Sequence, residues 1–326
     1  MRTLVIGDIH GCFFELQALL DRAGLAEDDS ILALGDIVDR GPETPQVVDF
    51  FRHTPAGHMT MARTIMGNHE RKHFGASKHL VKLSISQMIS RQQLGNVYPE
   101  ALAWMGNLPL FQDLPEAIIV HGYLEPDLPL DQQHPTVLCG TMGGDKILRA
   151  HYQRPWFELY SGEKPVIVGH YNYSHSDQPF VYQDKIFGLD TDCVHGKALT
   201  GLVLPDFRFV TVPSRGNLWR QVRKTYQAPV STQAKPVPIW SEKDNLALEQ
   251  LLEKVRTAHA TLMSDLQSEP GFSELAPRQQ ARLYSSRIET NQFSTFMQLC
   301  RVGRLDLSTA RKILKDPATL PKINAA

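Results

Sequence analysis

The chain has 326 residues, 42% of them apolar and 21% charged, and a formal net charge of −1. That length exceeds one ordinary domain, and that balance supports a full apolar core. A charge near zero gives no support to a surface that binds nucleic acid without regard to sequence. Cys12, Cys139, Cys193 and Cys300 form no CxxC pair, so neither a thiolate zinc site nor a disulfide scaffold is indicated, and a reducing compartment is expected.

From the N-terminus, the first apolar run is only Leu4–Ile6 and is followed at once by Asp8, which argues against a secretory leader. No apolar run approaches the roughly eighteen residues of a membrane span, so no membrane partner and a cytoplasmic location are expected. Six segments then repeat one pattern, a short apolar run that ends in glycine and a polar residue able to bind metal. They are Thr3–Asp8, Ile31–Asp36, Thr64–Asn68, Ala117–Gly122, Val166–His170 and Ile186–Asp190. Continuous apolar runs of this length predict strands buried on both faces. Helical spacing between them, at Phe13–Ala23 and Pro45–Arg52, predicts an α/β layered domain with its ligands at the carboxyl ends of strands. Leu199–Leu204 and Phe207–Val212 around Pro205-Asp206 predict a closing hairpin. The expected organisation is a catalytic domain over 1–225, a linker over 226–240 rich in Pro, Gln, Ser and Thr, and an all-helical appendage over 241–326. In the appendage Ser241 and Asp244 form a capping box, and Leu248, Leu251, Leu252, Val255, Ala258, Leu262 and Leu266 form one packed helix face. Further helices are expected over 277–290 and 308–314.

The polar ends of the six runs share a chemistry. Gly7-Asp-Ile-His-Gly11 offers a carboxylate and an imidazole two residues apart, and Gly35-Asp-Ile-Val-Asp-Arg-Gly41 offers a carboxylate able to bridge two ions. Gly67-Asn-His-Glu70 adds an amide oxygen and another imidazole. Mixed oxygen and nitrogen donors suit a pair of divalent ions and do not themselves choose among manganese, iron, zinc and nickel; manganese is the first expectation. Asp8, His10 and Asp36 are assigned to one ion, and Asp36, Asn68, His121 and His170 to the second. Any one of these residues alone is as easily a cap or turn residue; six at five strand ends are not.

The three motifs GDIHG, GDIVDRG and GNHE, followed by His121-Gly122 and Gly169-His170, resemble the phosphoprotein phosphatase branch of the calcineurin-like metallophosphoesterases. The resemblance runs to Val212. Within the branch, Arg154-Pro-Trp156, Tyr160-Ser-Gly162, Asp190-Thr-Asp-Cys-Val194 and Ala198-Leu-Thr200 are similar to the bacterial members related to asymmetrical diadenosine tetraphosphatase and to the phosphatase module of polynucleotide kinase-phosphatase. It implies a layered β-sandwich flanked by helices, a hydroxide bridging two metals that attacks phosphorus, phosphate contacts from Arg40 and Arg154, His69 as the acid that protonates the leaving group, and Asp39 as its orienting partner. Simple chemistry agrees: a planar guanidinium matches phosphate, histidine gives a proton near neutral pH, and a carboxylate fixes its tautomer.

The first expectation for substrate is a phosphoserine or phosphothreonine protein. The alternative is a dinucleoside polyphosphate or another nucleotide, and a reading of another class is a silent protein that recruits a partner through its helices. Tyr123, Tyr171 and Tyr173 are candidate stacking residues for a base. His175 and His195 are near enough in sequence to His170 and Asp190 to line the cleft, although surface roles are simpler. His53, His58, His73, His79, His134, His151 and His259 are expected to face solvent, and Glu70 to bond loop amides.

Overall fold

The computed structural model describes residues 1–53, 62–226, 240–288, 291, 293–314 and 316–320. The linker expected over 226–240 lies outside the described residues except at its two ends. The chain forms two compact units, Met1–Gly144 with Ser161–Val230, and Asp145–Tyr160 with Ser231–Ala326.

Among the described residues the first unit holds ten strands: β1 (Thr3–Ile6), β2 (Ser30–Ala33), β3 (Ala62–Thr64), β4 (Phe111–Asp113), β5 (Ile118–Val120), β6 (Val166–Val168), β7 (Phe180–Tyr182), β8 (Ile186–Gly188), β9 (Ala198–Leu204) and β10 (Arg208–Pro213). One sheet has the order β10-β9-β1-β2-β3 and the other β4-β5-β6-β8-β7. The centre of each sheet is parallel, β1 with β2 and β3, and β5 with β6 and β8. This is the α/β layered domain expected from the apolar runs, with the two sheets of the sandwich that the resemblance implies. The antiparallel edge strands β4 and β7 were not legible, because each is only three residues long and none of those residues is buried.

Strand periodicity divides the core. Val5 packs with Leu32, Leu202, Ile119, Ile167 and Phe187 in a layer shared by both sheets. Its neighbours Leu4 and Ile6 point the other way, onto Leu16 and Leu19 of the helix Phe13–Ala23. Each such buried aliphatic contributes about 1.5–3 kcal/mol. The parallel strands deliver their following residues to one rim.

In the second unit the helix Glu242–Ser268 opens on the expected cap: the Asp244 N–H donates to Ser241 Oγ at 3.2 Å, and the Ser241 N–H donates to Asp244 Oδ2 at 2.9 Å. Leu248, Leu251, Leu252, Val255 and Leu266 are buried against Phe272, Tyr284, Phe296 and Leu299, with Ala258 and Leu262 partly buried beside them. After it come the helices Pro277–Arg287, Ser294–Arg301 and Leu307–Leu314, and the unit also holds Trp156–Leu159 and most of Met142–His151. Residues 145–160 pack here: Arg304 Nη1 donates to Asp145 Oδ1 at 2.6 Å, and Gln153 Nε2 donates to Gln280 Oε1 at 3.0 Å. Among the described residues, no helix is long and apolar enough to cross a membrane.

Candidate metal centre

The rim loops alternate core and site. Ile9 is fully buried in the apolar core, so Asp8 and His10 on either side of it turn to the rim; Ile37 and Val38 do the same for Asp36 and Asp39. This geometry strains the backbone. His10, Asp36, Asp39, Arg40 and His170 all have positive φ, at 47°, 48°, 74°, 69° and 64°. Left-handed conformation outside glycine is uncommon and costs on the order of 1–3 kcal/mol per residue, and it clusters where function demands it.

Glu70 compensates. Its fully buried carboxylate accepts from the N–H groups of Asp36, Ile37 and Gly67 at 2.9, 3.0 and 3.0 Å. It therefore bonds loop amides, as expected, and holds the loop that carries Asp36. Glycine is required at two points of close approach: a Cβ at Gly67 would collide with Asp36 Oδ1, and one at Gly169 with Asp8 Oδ1.

The imidazoles are aimed. His10 Nδ1–H donates to the Val38 carbonyl at 2.8 Å and His121 Nδ1–H to the Leu34 carbonyl at 2.7 Å, which turns both Nε2 atoms inward. Asp36 Oδ2 lies 3.6 Å from His10 Nε2 and 3.8 Å from His69 Nε2. Its Oδ1 lies 3.4 Å from His121 Nε2. Asn68 Oδ1 is 3.1 Å from His121 Nε2 and 2.9 Å from His170 Nδ1. Two donor groups result, His10–Asp36–His69 and Asp36–His121–His170, each with its atoms within 4.8 Å of one another. Asp36 belongs to both. Asp8, assigned from sequence to the first group, brings Oδ2 to 4.0 Å from His10 Nε2 and accepts from the His170 N–H at 2.9 Å.

The electrostatics fit divalent cations. Asp8 and Asp36 are 5% and 2% exposed, and among the described residues no Lys or Arg pairs with either. Burial and the Asp190 carboxylate push Asp8 well above the usual carboxylate range. Burial and Asp192 push Asp190 up to about 6. Burial acts the same way on Asp36, but His121 and His69 outweigh it and hold Asp36 well below. Buried carboxylates ringed by imidazoles need further positive charge, and oxygen with nitrogen donors suits transition metals.

His69, within reach of the first group through Nε2, is tied to a second carboxylate through its other nitrogen. Its Nδ1–H donates to Asp39 Oδ2 at 2.6 Å. The other carboxylate oxygen of Asp39 accepts from His73 Nε2 at 2.9 Å, and Gln87 Nε2 also donates to Asp39. Burial would raise Asp39, yet the bonds from His69 and His73 hold it well below the usual range. Arg40 spans the site, with Nη1 at 2.6 Å from His10 Nε2 and Nη2 at 2.9 Å from His69 Nε2.

His73 corrects the sequence expectation. It is fully buried, and its Nδ1 meets Tyr98 Oη at 3.0 Å. The available signal was its place four residues after His69 on the helix Asn68–Ser77, which puts both on one face. Tyr123 is also corrected as a stacking residue: it is 1% exposed and packs edge-on to the His170 ring at 5.3 Å. Tyr171 and Tyr173 remain half-buried with rings 5.0 Å apart, beside exposed His175. His195 is exposed on the turn Cys193–His195. Arg154 belongs to the second unit, where it is exposed and faces Glu158. His53, His79 and His134 are exposed as expected, whereas His151 and His259 are half-buried, the latter bonded to Tyr284 Oη at 2.7 Å. His58 lies outside the described residues.

Comparison with known proteins agrees with this arrangement. The sequence profile described as calcineurin-like phosphoesterase matches residues 1–246. The chain is 28% identical over 242 residues to the asymmetrical bis(5'-nucleosyl)-tetraphosphatase PrpE of Halalkalibacterium halodurans, covering 66% of this chain and 95% of that one. It is 25% identical over 271 residues to the symmetrical bis(5'-nucleosyl)-tetraphosphatase of Vibrio parahaemolyticus, covering 65% and 98%. A crystal structure assigned as a diadenosine tetraphosphatase shares the fold, with a TM-score of 0.50 and 22% identity over 65% of this chain and 93% of that one.

Proposed function

Because the chain belongs to the calcineurin-like phosphoesterase family and is a phosphoester hydrolase, we propose that its substrates are dinucleoside polyphosphates. The observation that carries this choice is that the relatives matched over nearly their whole length are named bis(5'-nucleosyl)-tetraphosphatases. The sequence motifs alone put a phosphoprotein first; the names of these relatives favour the nucleotide alternative.

Asp8, His10 and Asp36 would hold one divalent ion, and Asp36, Asn68, His121 and His170 the other. Bound there, the ions lower the pKa of a water and offset charge on the transferring phosphoryl group. Water, having released one proton to solvent, attacks phosphorus through its oxygen, and the bond from phosphorus to the leaving oxygen breaks. That oxygen takes its proton from His69 Nε2, because Nδ1 is committed to Asp39. Asp39 keeps the ring oriented and stabilises its protonated form, and His73 and Gln87 hold Asp39 in turn. Arg40, whose guanidinium already lies over His10 and His69, turns to the phosphate. Arg154 is assigned a second phosphate contact on the resemblance of Arg154-Pro-Trp156 alone. Manganese is the first choice of metal.

The test is turnover of diadenosine tetraphosphate, a phosphothreonine peptide and 4-nitrophenyl phosphate after metal removal, with and without manganese. The expected result is manganese-dependent hydrolysis with the highest kcat/KM on the dinucleotide. A higher value on the phosphopeptide would replace the nucleotide reading, and no turnover with any divalent metal would remove the enzymatic one.

A further inference from the structure

We propose that the first unit carries a second anion site that takes the base and polyphosphate of a nucleotide. The site is a pocket of about 320 Å³ between the turn Cys193–His195 and the helix Leu218–Tyr226, lined by His195, Asn217, Trp219, Arg220, Arg223 and Lys224. Its volume falls at the lower end of small-molecule sites, about 300–1,000 Å³.

The helix explains the wall. Leu218 and Val222 are buried and Trp219 is partly buried against the apolar core, which leaves Arg220, Arg223 and Lys224 exposed. Three cations within one turn and a half repel one another. Among the described residues no carboxylate pairs with any of them. The contrast is local, because Arg215, just before the helix, is bound by Glu15 at 3.0 Å and Glu43 at 2.9 Å. Asp192, which acts on His195, is already engaged by Lys197 at 2.9 Å and Asn172 at 3.0 Å. A chain of net charge −1 thus concentrates unpaired positive charge at one cavity that also holds an indole.

Those two features define the ligand. Guanidinium groups match phosphate oxygens, and an aromatic face takes a base by stacking. Arg223 already lies over the Trp219 ring, 5.5 Å from its centroid. The strand register places the pocket. Pro213 pairs with Ala198, and β9 runs antiparallel to β1, so the loop after β10 leaves the sheet at the same end as Asp8. The two lie two strands apart, on the order of 10 Å. The choice of a nucleotide over another polyanion rests on the proposed substrate class; the cationic pocket does not.

Isothermal titration of the full chain, stripped of metal with EDTA, tests this with ATP and with inorganic tripolyphosphate as probes. Saturable binding of ATP is expected, with a Kd about tenfold or more weaker in an Arg220→Gln/Arg223→Gln/Lys224→Gln variant, whose changes are all on exposed side chains. Tripolyphosphate should bind more weakly than ATP, and Trp219→Leu should remove that difference. An unchanged Kd in the triple variant, or no saturable binding by wild type, would reduce the pocket to a solvated basic helix face and overturn the site. Equal binding of the two probes would overturn the nucleotide assignment. Because no turnover is measured, a failed hydrolase reading leaves this result intact, and the reverse also holds.

Discussion

At the rim of the first unit Asp8, His10, Asp36, Asp39, His69 and His121 are each at most 5% exposed, on a backbone repeatedly forced to positive φ. The interior of the second unit is built instead from Leu248, Leu251, Leu252, Val255, Phe272 and Phe296 on regular helices. Both regions are close-packed, yet only the second is buried by apolar transfer. The first is held against strain and desolvation by Glu70 and by carbonyls that accept from imidazoles. A change at the rim should therefore alter chemistry while sparing stability, and a change in the helical interior should do the reverse.

The sharpest separation is expected from His69→Asn. Its kcat on a phosphothreonine peptide, whose departing alkoxide must be protonated, should fall about 10²–10⁴-fold with thermal stability unchanged or raised. The loss should be smaller on diadenosine tetraphosphate and 4-nitrophenyl phosphate, whose leaving groups are weak bases; equal losses on all three would remove His69 from proton transfer. Leu252→Ala, at a site 1% exposed, should cost the second unit about 2–5 kcal/mol in urea unfolding, with kcat of the folded protein retained. A kcat that fell with stability would break the division between the regions. His73→Gln tests the reach of the rim network: kcat should drop about tenfold with KM unchanged, as for partners that orient a working group. A variant that lost only stability would make His73 structural.

The smallest effect concerns pH. Burial and the nearby Arg301 lower His259 in the second unit to about 4. The unfolded chain, with an ordinary histidine near 6.5, binds more protons between those values. Stability of that unit should thus be unaffected above pH 6.5 and decline as pH falls from 6.5 to 4. The ring is partly exposed, so the decline should be no more than about 1–2 kcal/mol. His259→Gln should flatten it in denaturant titrations at pH 7 and 5; an unaltered pH slope would exclude His259 as its source.

The clustering of the candidate ligands was legible because each follows an apolar strand within a contiguous motif, so local pattern carried tertiary position. Asp36 could be singled out as the carboxylate common to both donor groups, and Glu70 as a loop brace, from the same short stretches. The boundaries of Phe13–Ala23 and the Ser241 cap were readable for a similar reason, since helical spacing and capping are local. What escaped depends on distant segments meeting. His73 becomes a site residue only because Asp39 and Tyr98 converge on it. Tyr123 looked accessible beside His121 but is covered in the fold. The packing of residues 145–160 with the C-terminal helices rests on contacts such as Gln153 with Gln280, 127 positions apart.

The central claim is one carboxylate serving two metals. Manganese bound per chain, counted after removal of free metal and measured beside turnover in wild type and Asp36→Asn, tests it most directly. Two ions in wild type are expected, with at most one retained by the variant and turnover lost by about 10³-fold or more. An Asp36→Asn protein that keeps both ions and its turnover would contradict it.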